Sequence, residues 1–164
     1  ILFAAKKLKD TNIEFWIIGE GVNKNFLIKE VEKHNLTNIK VLPYQDRELM
    51  PLINSFADIH FISISKDMEQ EGFPSKVYTI MACAKPLIVI TGEKSPLYDF
   101  LKNLNCSILV TNDRNEKFTN AILQLANNES KKKELGLNGY SIIQKFYTKE
   151  KIVGEYLNLF EKLL

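Results

Sequence analysis

The residues able to do chemistry gather in one stretch, Glu71-Gly72-Phe73-Pro74-Ser75-Lys76-Val77-Tyr78-Thr79-Ile80-Met81-Ala82, followed by Lys85-Pro86 and the apolar run Leu87 to Ile90. A turn carrying Gly72 and Pro74 leads into a short helix that opens on a serine and a lysine. Unpaired backbone N–H groups at a helix start carry roughly half a positive charge and hold phosphate without a cationic cage. Gly72 allows close backbone approach, Pro74 stiffens the entry, Ser75 is a preferred N-cap and Lys76 adds a point charge. At helical spacing Ser75, Thr79 and Cys83 form a polar stripe, while Val77, Ile80, Met81 and Ala84 supply the buried side. The chemistry implied is capture of an anionic ligand at the positive end of this helix. An ordinary capped helix with a solvated Glu71 fits the same spacing.

Other candidates carry less. Gly19-Glu20-Gly21 follows an apolar run as a dinucleotide turn does, but the third glycine of G-x-G-x-x-G falls on Lys24. A tight structural turn and a ligand contact both fit the two glycines. Gly92-Glu93-Lys94-Ser95-Pro96 reads best as a plain β-to-α turn. His34 lies near a helix end and His60 inside an apolar strand, and neither has a nucleophile or metal partner at recognisable spacing. Cys83 and Cys106 read as small core residues in a reducing compartment. No metal site is expected.

The elements that must position these residues alternate along the chain. The sequence predicts strands over Glu14 to Ile18, Ile39 to Leu42, Ile59 to Ser63, Leu87 to Ile90 and Ser107 to Val110. Helices are expected near Asn25 to Asn35, Glu48 to Phe56, Ser75 to Ala84 and Pro96 to Leu104. Three more follow: Glu116 to Asn127, Ser130 to Phe146 with a break near Gly136, and Thr148 to Leu164. Short, continuously apolar strands suit burial on both faces, hence a parallel sheet. Asn35 closes one helix, Pro43 follows the second strand, and Asp46 and Thr148 can cap. The predicted fold is α/β: a Rossmann-like doubly wound parallel sheet with helices on both faces and a helical C-terminal tail. Ligands in such sheets sit outside the carboxyl ends of the strands. The last helix sets Ile152, Val153, Tyr156, Leu157, Phe160 and Leu164 on one stripe, which must pack on something.

With 164 residues, 45% hydrophobic and 26% charged, the chain makes one domain with a real core. A net charge of +2 argues for no nucleic-acid partner, and Lys131-Lys132-Lys133 reads as a solvated helix face. No apolar run approaches the about 18 residues that span a bilayer, so a cytoplasmic location is expected. Ile1 to Lys9 opens mid-helix without a cap, with Leu2, Ala5 and Leu8 on one side, and the chain reads as a piece of something longer.

Taken together, the Gly19-x-Gly21 turn, Asn38 to Tyr44, Ala57-Asp58, Glu71 to Pro86 and Ser107 to Asp113 resemble the C-terminal half of GT-B glycosyltransferases of group 1, or family 4, which retain anomeric configuration. The Pro74-Ser75-Lys76-Val77-Tyr78 phrase resembles members that build capsular polysaccharide and O-antigen. The terminal helices look like the pair that packs behind this domain and crosses back to the other half. The resemblance implies a donor-binding domain for a UDP- or GDP-linked sugar, with no cofactor and a glycan or lipid-linked acceptor. It puts the N-terminal acceptor domain, and the first strand of this one, upstream of Ile1. This chain alone is then expected to be inactive, and the whole enzyme to touch the membrane peripherally.

The family's E-x7-E motif falls on Glu71 and Thr79. Glu71 is implied to bind sugar hydroxyls. Thr79 stands where a second glutamate grips the ribose, and it can make one short hydrogen bond where glutamate spans both hydroxyls. Gly72, Phe73, Pro74, Ser75 and Lys76 are implied at the diphosphate, and Gly19, Gly21 and Tyr44 around the nucleotide, Tyr44 as a stacking surface. Ala84 replaces the glycine usual before Lys-Pro, a change expected to matter only for packing. Two other classes fit: a diverged, non-catalytic nucleotide-sugar-binding module, and a sugar-nucleotide epimerase of GT-B fold.

Overall fold

The computed structural model describes residues 1–111 and 114–163; Asp113 and Leu164, named above, lie outside them. Five strands, β1 (Phe15–Ile18), β2 (Ile39–Leu42), β3 (His60–Ser63), β4 (Leu87–Ile90) and β5 (Ser107–Val110), alternate with α1 (Leu2–Lys7), α2 (Lys24–Lys33), α3 (Met50–Phe56), α4 (Lys76–Ala82) and α5 (Pro96–Leu101). Then come α6 (Arg114–Ala126), α7 (Glu129–Phe146) and α8 (Lys149–Leu163). Every strand pair is parallel, with Phe15 beside Ile39, His60 beside Leu87 and Leu87 beside Ser107. The hydrogen-bonded ladders form two groups, β1-β2 and β3-β4-β5, so among the described residues β1, β2, β3 and β5 each keep one free edge.

Period-two alternation builds the layers. In β4, Ile88 and Ile90 face a core shared with α1, α2, α6 and the start of α7, while Leu87 and Val89 face a second core with α4, α5 and the end of α7. Leu87, Ile88 and Val89 are wholly buried, each contributing about 1.5–3 kcal/mol of apolar burial. The first core runs under both ladders, taking Phe15, Ile39 and Phe61 together. Helices thus cover both faces of the β3-β4-β5 group, as doubly wound α/β chains require. The β1-β2 group departs from burial on both faces. Trp16 is 41% exposed, flanked by the Phe56 ring 5.2 Å away and by Lys40, whose Nζ lies 5.0 Å from the indole ring.

Several local expectations change. Pro51 divides the third helix into a 3-10 turn, Arg47–Leu49, and α3, because a proline is tolerated only in the first helical turn. Asp46 precedes that turn without a side-chain cap. α7 runs unbroken through Gly136, which is buried where the helix crosses the Ala84 turn; a Cβ there would overlap the Ala84 carbonyl. Ala84 itself has φ +53°. The glycine-to-alanine departure therefore acts on the backbone and not only on packing, since a left-handed non-glycine residue costs about 1–2 kcal/mol. Ala84→Gly is expected to stabilise the chain by about 0.5–1 kcal/mol after glycine's larger unfolded-state entropy is subtracted. A urea midpoint that stays put or falls would contradict this. In α8 no side chain is buried, and Val153, Tyr156, Leu157 and Phe160 remain half exposed. No helix among the described residues is long and apolar enough to cross a membrane.

Candidate functional site

The loop from Ile64 to Ser75 leaves the carboxyl end of β3, as a ligand loop in this fold class should. Its first half is a 3-10 turn, Lys66–Met68, and the Glu71 and Gly72 amides both donate to the Met68 carbonyl, at 3.2 and 2.9 Å. Gly72 packs closely on its own turn, where a Cβ would sit 3.0 Å from that carbonyl. Its N–H is thus occupied. Val77 and Tyr78 donate to the carbonyls of Pro74 and Ser75. Between Glu71 and Lys76, the N–H groups left without partners among the described residues are those of Phe73, Ser75 and Lys76.

Ser75 does not cap α4. Its backbone is already helical (φ −59°, ψ −22°), so its hydroxyl cannot swing over the first turn and makes no capping bond. The capping serine is Ser95, extended at φ −79° and ψ 146°, which accepts from the Tyr98 amide at 3.0 Å and from the buried Thr91 hydroxyl at 2.8 Å. Gly92 to Pro96 is accordingly a built β-to-α turn. Val77, Ile80 and Met81 are buried on the inner side of α4, whereas Glu71, Ser75, Lys76 and Thr79 face solvent. Thr79 donates its hydroxyl proton to the Lys76 carbonyl at 2.9 Å. The Phe73 ring turns away from that polar stripe into an aromatic cluster, 5.7 Å from Tyr78 and 5.4 Å from Phe100, with Tyr147 5.1 Å from Tyr78.

Gly19, Gly21 and Tyr44 form a second group, at the carboxyl ends of β1 and β2. Gly19 has φ +126°, which only glycine adopts readily, and a Cβ built there would lie 4.0 Å from the Tyr44 ring. The first and second strand loops therefore meet, with Tyr44 78% exposed above them. Gly19 and Gly21 also line a cleft of about 680 Å³ with Ile1, Phe3, Phe26 and Asn115. Neither Tyr44 nor any residue from Glu71 to Thr79 lines it. Lys24, which occupies the third glycine's place, pairs with Glu20 at 2.5 Å and closes the turn on itself.

His60 and the two cysteines sit in structural settings. His60 donates from its ring to the Asn54 carbonyl at 2.8 Å, and burial holds its pKa below the ordinary histidine value. Burial pushes the Cys106 thiol up to about 11, so it stays protonated, while Cys83 is half-buried at the end of α4. Sequence reasoning missed the ion pair between Arg114, the first residue of α6, and Glu69, two residues before Glu71. The pair spans 45 residues of chain, and no spacing rule reaches that far.

The sequence profile of the family described as Glycosyl transferases group 1 matches residues 1–142. An uncharacterized glycosyltransferase of Methanocaldococcus jannaschii is 31% identical over 150 residues, which cover 90% of this chain and 40% of that protein. A solved structure of a TarM mutant from S. aureus, in complex with Fondaparinux, alpha-GlcNAc-glycerol and UDP, is 25% identical with a TM-score of 0.77, covering 97% of this chain and 31% of that one. A C-terminal domain of a glycosyl transferase group 1 protein from Francisella tularensis shares the fold at 16% identity and a TM-score of 0.71, covering 90% and 77% of the two chains. The chain thus spans less than half the length of the first two. With parallel strands, helices on both faces and the Glu71 loop at a strand's carboxyl end, it belongs to the glycosyl transferases group 1 family and has the fold of the C-terminal domain of its GT-B members.

Proposed function

We propose that this chain is the donor-binding domain of a glycosyltransferase that moves a hexosyl or N-acetylhexosaminyl group from a nucleotide-diphosphate sugar to a cell-surface glycan or lipid-linked acceptor, with retention. The observation that carries the reading is the Glu71 to Thr79 segment. Inside a group 1 fold it sets three unpartnered N–H groups and the exposed Lys76 ammonium at the carboxyl end of β3. As the glycosidic bond breaks, negative charge grows on the departing diphosphate, and donors already fixed in place stabilise that charge without reorganising. The N–H groups of Phe73, Ser75 and Lys76, with the Lys76 side chain, take that part. Glu71 accepts hydrogen bonds from sugar hydroxyls and so orients the anomeric carbon. Thr79 faces the ribose, and Gly19, Gly21 and Tyr44 flank the nucleotide. Membership of the capsule and O-antigen type rests on the Pro74-Ser75-Lys76-Val77-Tyr78 phrase, and UDP is the favoured nucleotide because the TarM structure holds it.

The free edges of β1 and β3 over one shared core support a further parallel strand between them, supplied by chain upstream of Ile1 together with an acceptor domain. The location proposed for the whole enzyme is cytoplasmic, at the inner membrane face. Thr79 favours a second reading, a diverged module that binds but does not transfer, since its hydroxyl proton is engaged by Lys76 O.

Calorimetric titration of the intact protein with UDP, GDP and ADP tests the main reading. One nucleotide is expected to bind selectively, and Lys76→Ala to weaken it by about tenfold or more, the loss of one charge-assisted hydrogen bond. Absence of binding, or indifference to Lys76→Ala, overturns it. Binding without transfer from the corresponding nucleotide sugar selects the diverged module.

A further inference from the structure

We propose that Glu69 and Arg114 form a latch that positions the Glu71 loop, a role that rests on the donor-site reading above only for its consequence in catalysis. Arg114 is the first residue of α6, and its guanidinium makes two contacts with one loop. One amino group donates to the Ile64 carbonyl at 3.3 Å, where the chain leaves β3, and the other pairs with the Glu69 carboxylate. Both side chains are largely withdrawn from water, 24% exposed for Arg114 and 18% for Glu69. A planar, forked donor in this position ties the beginning and the middle of the loop to one rigid helix.

The third side of the latch is Gly92, in the turn after β4. A Cβ at Gly92 would overlap the Glu69 carboxylate, so the carboxylate occupies the space a side chain would fill. Glu69 is therefore held between the β4-to-α5 turn and the start of α6. One residue earlier, the Met68 carbonyl accepts the amides of both Glu71 and Gly72. Fixing Glu69 thus fixes the turn that aims Glu71 and the N–H groups after it. Glu69 and Arg114 are positioning residues; neither is placed against the ligand. Removing one partner of such a withdrawn pair leaves the other charge uncompensated, and the loop is then expected to open locally while the sheet stays closed.

Amide hydrogen exchange on the intact protein, without ligand, is the decisive experiment. Gly72 is the reporter, because its N–H is bonded inside the latched turn. Arg114→Gln and, separately, Gly92→Ala are expected to speed exchange at Gly72 about tenfold or more, with Leu87 to Ile90 in β4 unchanged. Gly92→Ala removes neither charge and forces the carboxylate to shift from its place against Gly92, so it serves if Arg114→Gln fails to fold. The charge-swapped chain, Glu69→Arg with Arg114→Glu, is expected to recover protection that Arg114→Gln loses. Unchanged exchange at Gly72 in both variants overturns the latch, as does an equal loss in β4, which marks general destabilisation. UDP titration of the same variants reports the consequence: several-fold weaker binding supports the coupling to the donor site. Failure of UDP to bind the unmodified protein sinks the donor-site reading and leaves the exchange result to judge the latch.

Discussion

On the donor-site reading proposed above, Glu71→Ala is expected to lower kcat/KM for sugar transfer by the intact enzyme about 100-fold or more, with the fold undisturbed. The two halves of this expectation have separate physical grounds. Glu71 is exposed and has no side-chain partner among the described residues, so its removal belongs with surface changes of about 0.5 kcal/mol or less. For 164 residues that is a shift in Tm of about 1–2 °C. On the proposed reading the activity term is large because a carboxylate accepting from sugar hydroxyls would make charge-assisted bonds worth about 1.5–3 kcal/mol each, and two of them would hold the anomeric carbon in line. Glu71→Gln keeps the acceptor geometry without the charge and is expected to lose about tenfold. Steady-state transfer assays beside a thermal melt separate the two terms. Normal transfer by Glu71→Ala would show that this residue does not orient the sugar.

The second large effect is on stability. Gly136→Ala is expected to destabilise the chain by about 2–4 kcal/mol, lowering Tm by about 5–10 °C. On helix propensity alone the change would help, by about 1 kcal/mol. The difference is tertiary: α7 approaches the end of α4 so closely at Gly136 that a methyl group would overlap the Ala84 carbonyl. Backbone cannot yield there, because Ala84 is already in the left-handed region and leads directly into Lys85, Pro86 and β4. At Gly139, one turn on, the nearest atom is the flexible Met81 side chain at 3.2 Å, which can move aside. Chemical or thermal denaturation followed by circular dichroism measures the loss, and a Gly136→Ala chain as stable as its parent would refute the close approach.

Strand boundaries show how far local pattern carries. β4 and β5 begin and end where the sequence predicts them, because a strand packed on both faces must be apolar over the length that the core covers. Asn35 ends its helix at φ +50°, and Thr148 accepts from the Lys151 amide at 3.4 Å, so local turn and cap chemistry was legible too. Burial on both faces could not be transferred to β1 and β2. Trp16 looks like a core residue in a sequence window, yet only its surroundings decide whether a helix covers it.

The candidate site divides along the same line. By itself the sequence determined the α/β order, the Gly-Pro entry to α4, its buried side of Val77, Ile80 and Met81, and the family to which these residues point; each depends on neighbours within a few positions, where spacing encodes geometry. The tertiary structure alone decided that Gly19 meets Tyr44, that Phe73 joins Tyr78, Phe100 and Tyr147, that Ser95 and not Ser75 is the capping serine, and that Arg114 holds Glu69. These outcomes depend on which distant segment returns to a given point, and on backbone angles set by that return. Residue spacing along the chain carries no information about either.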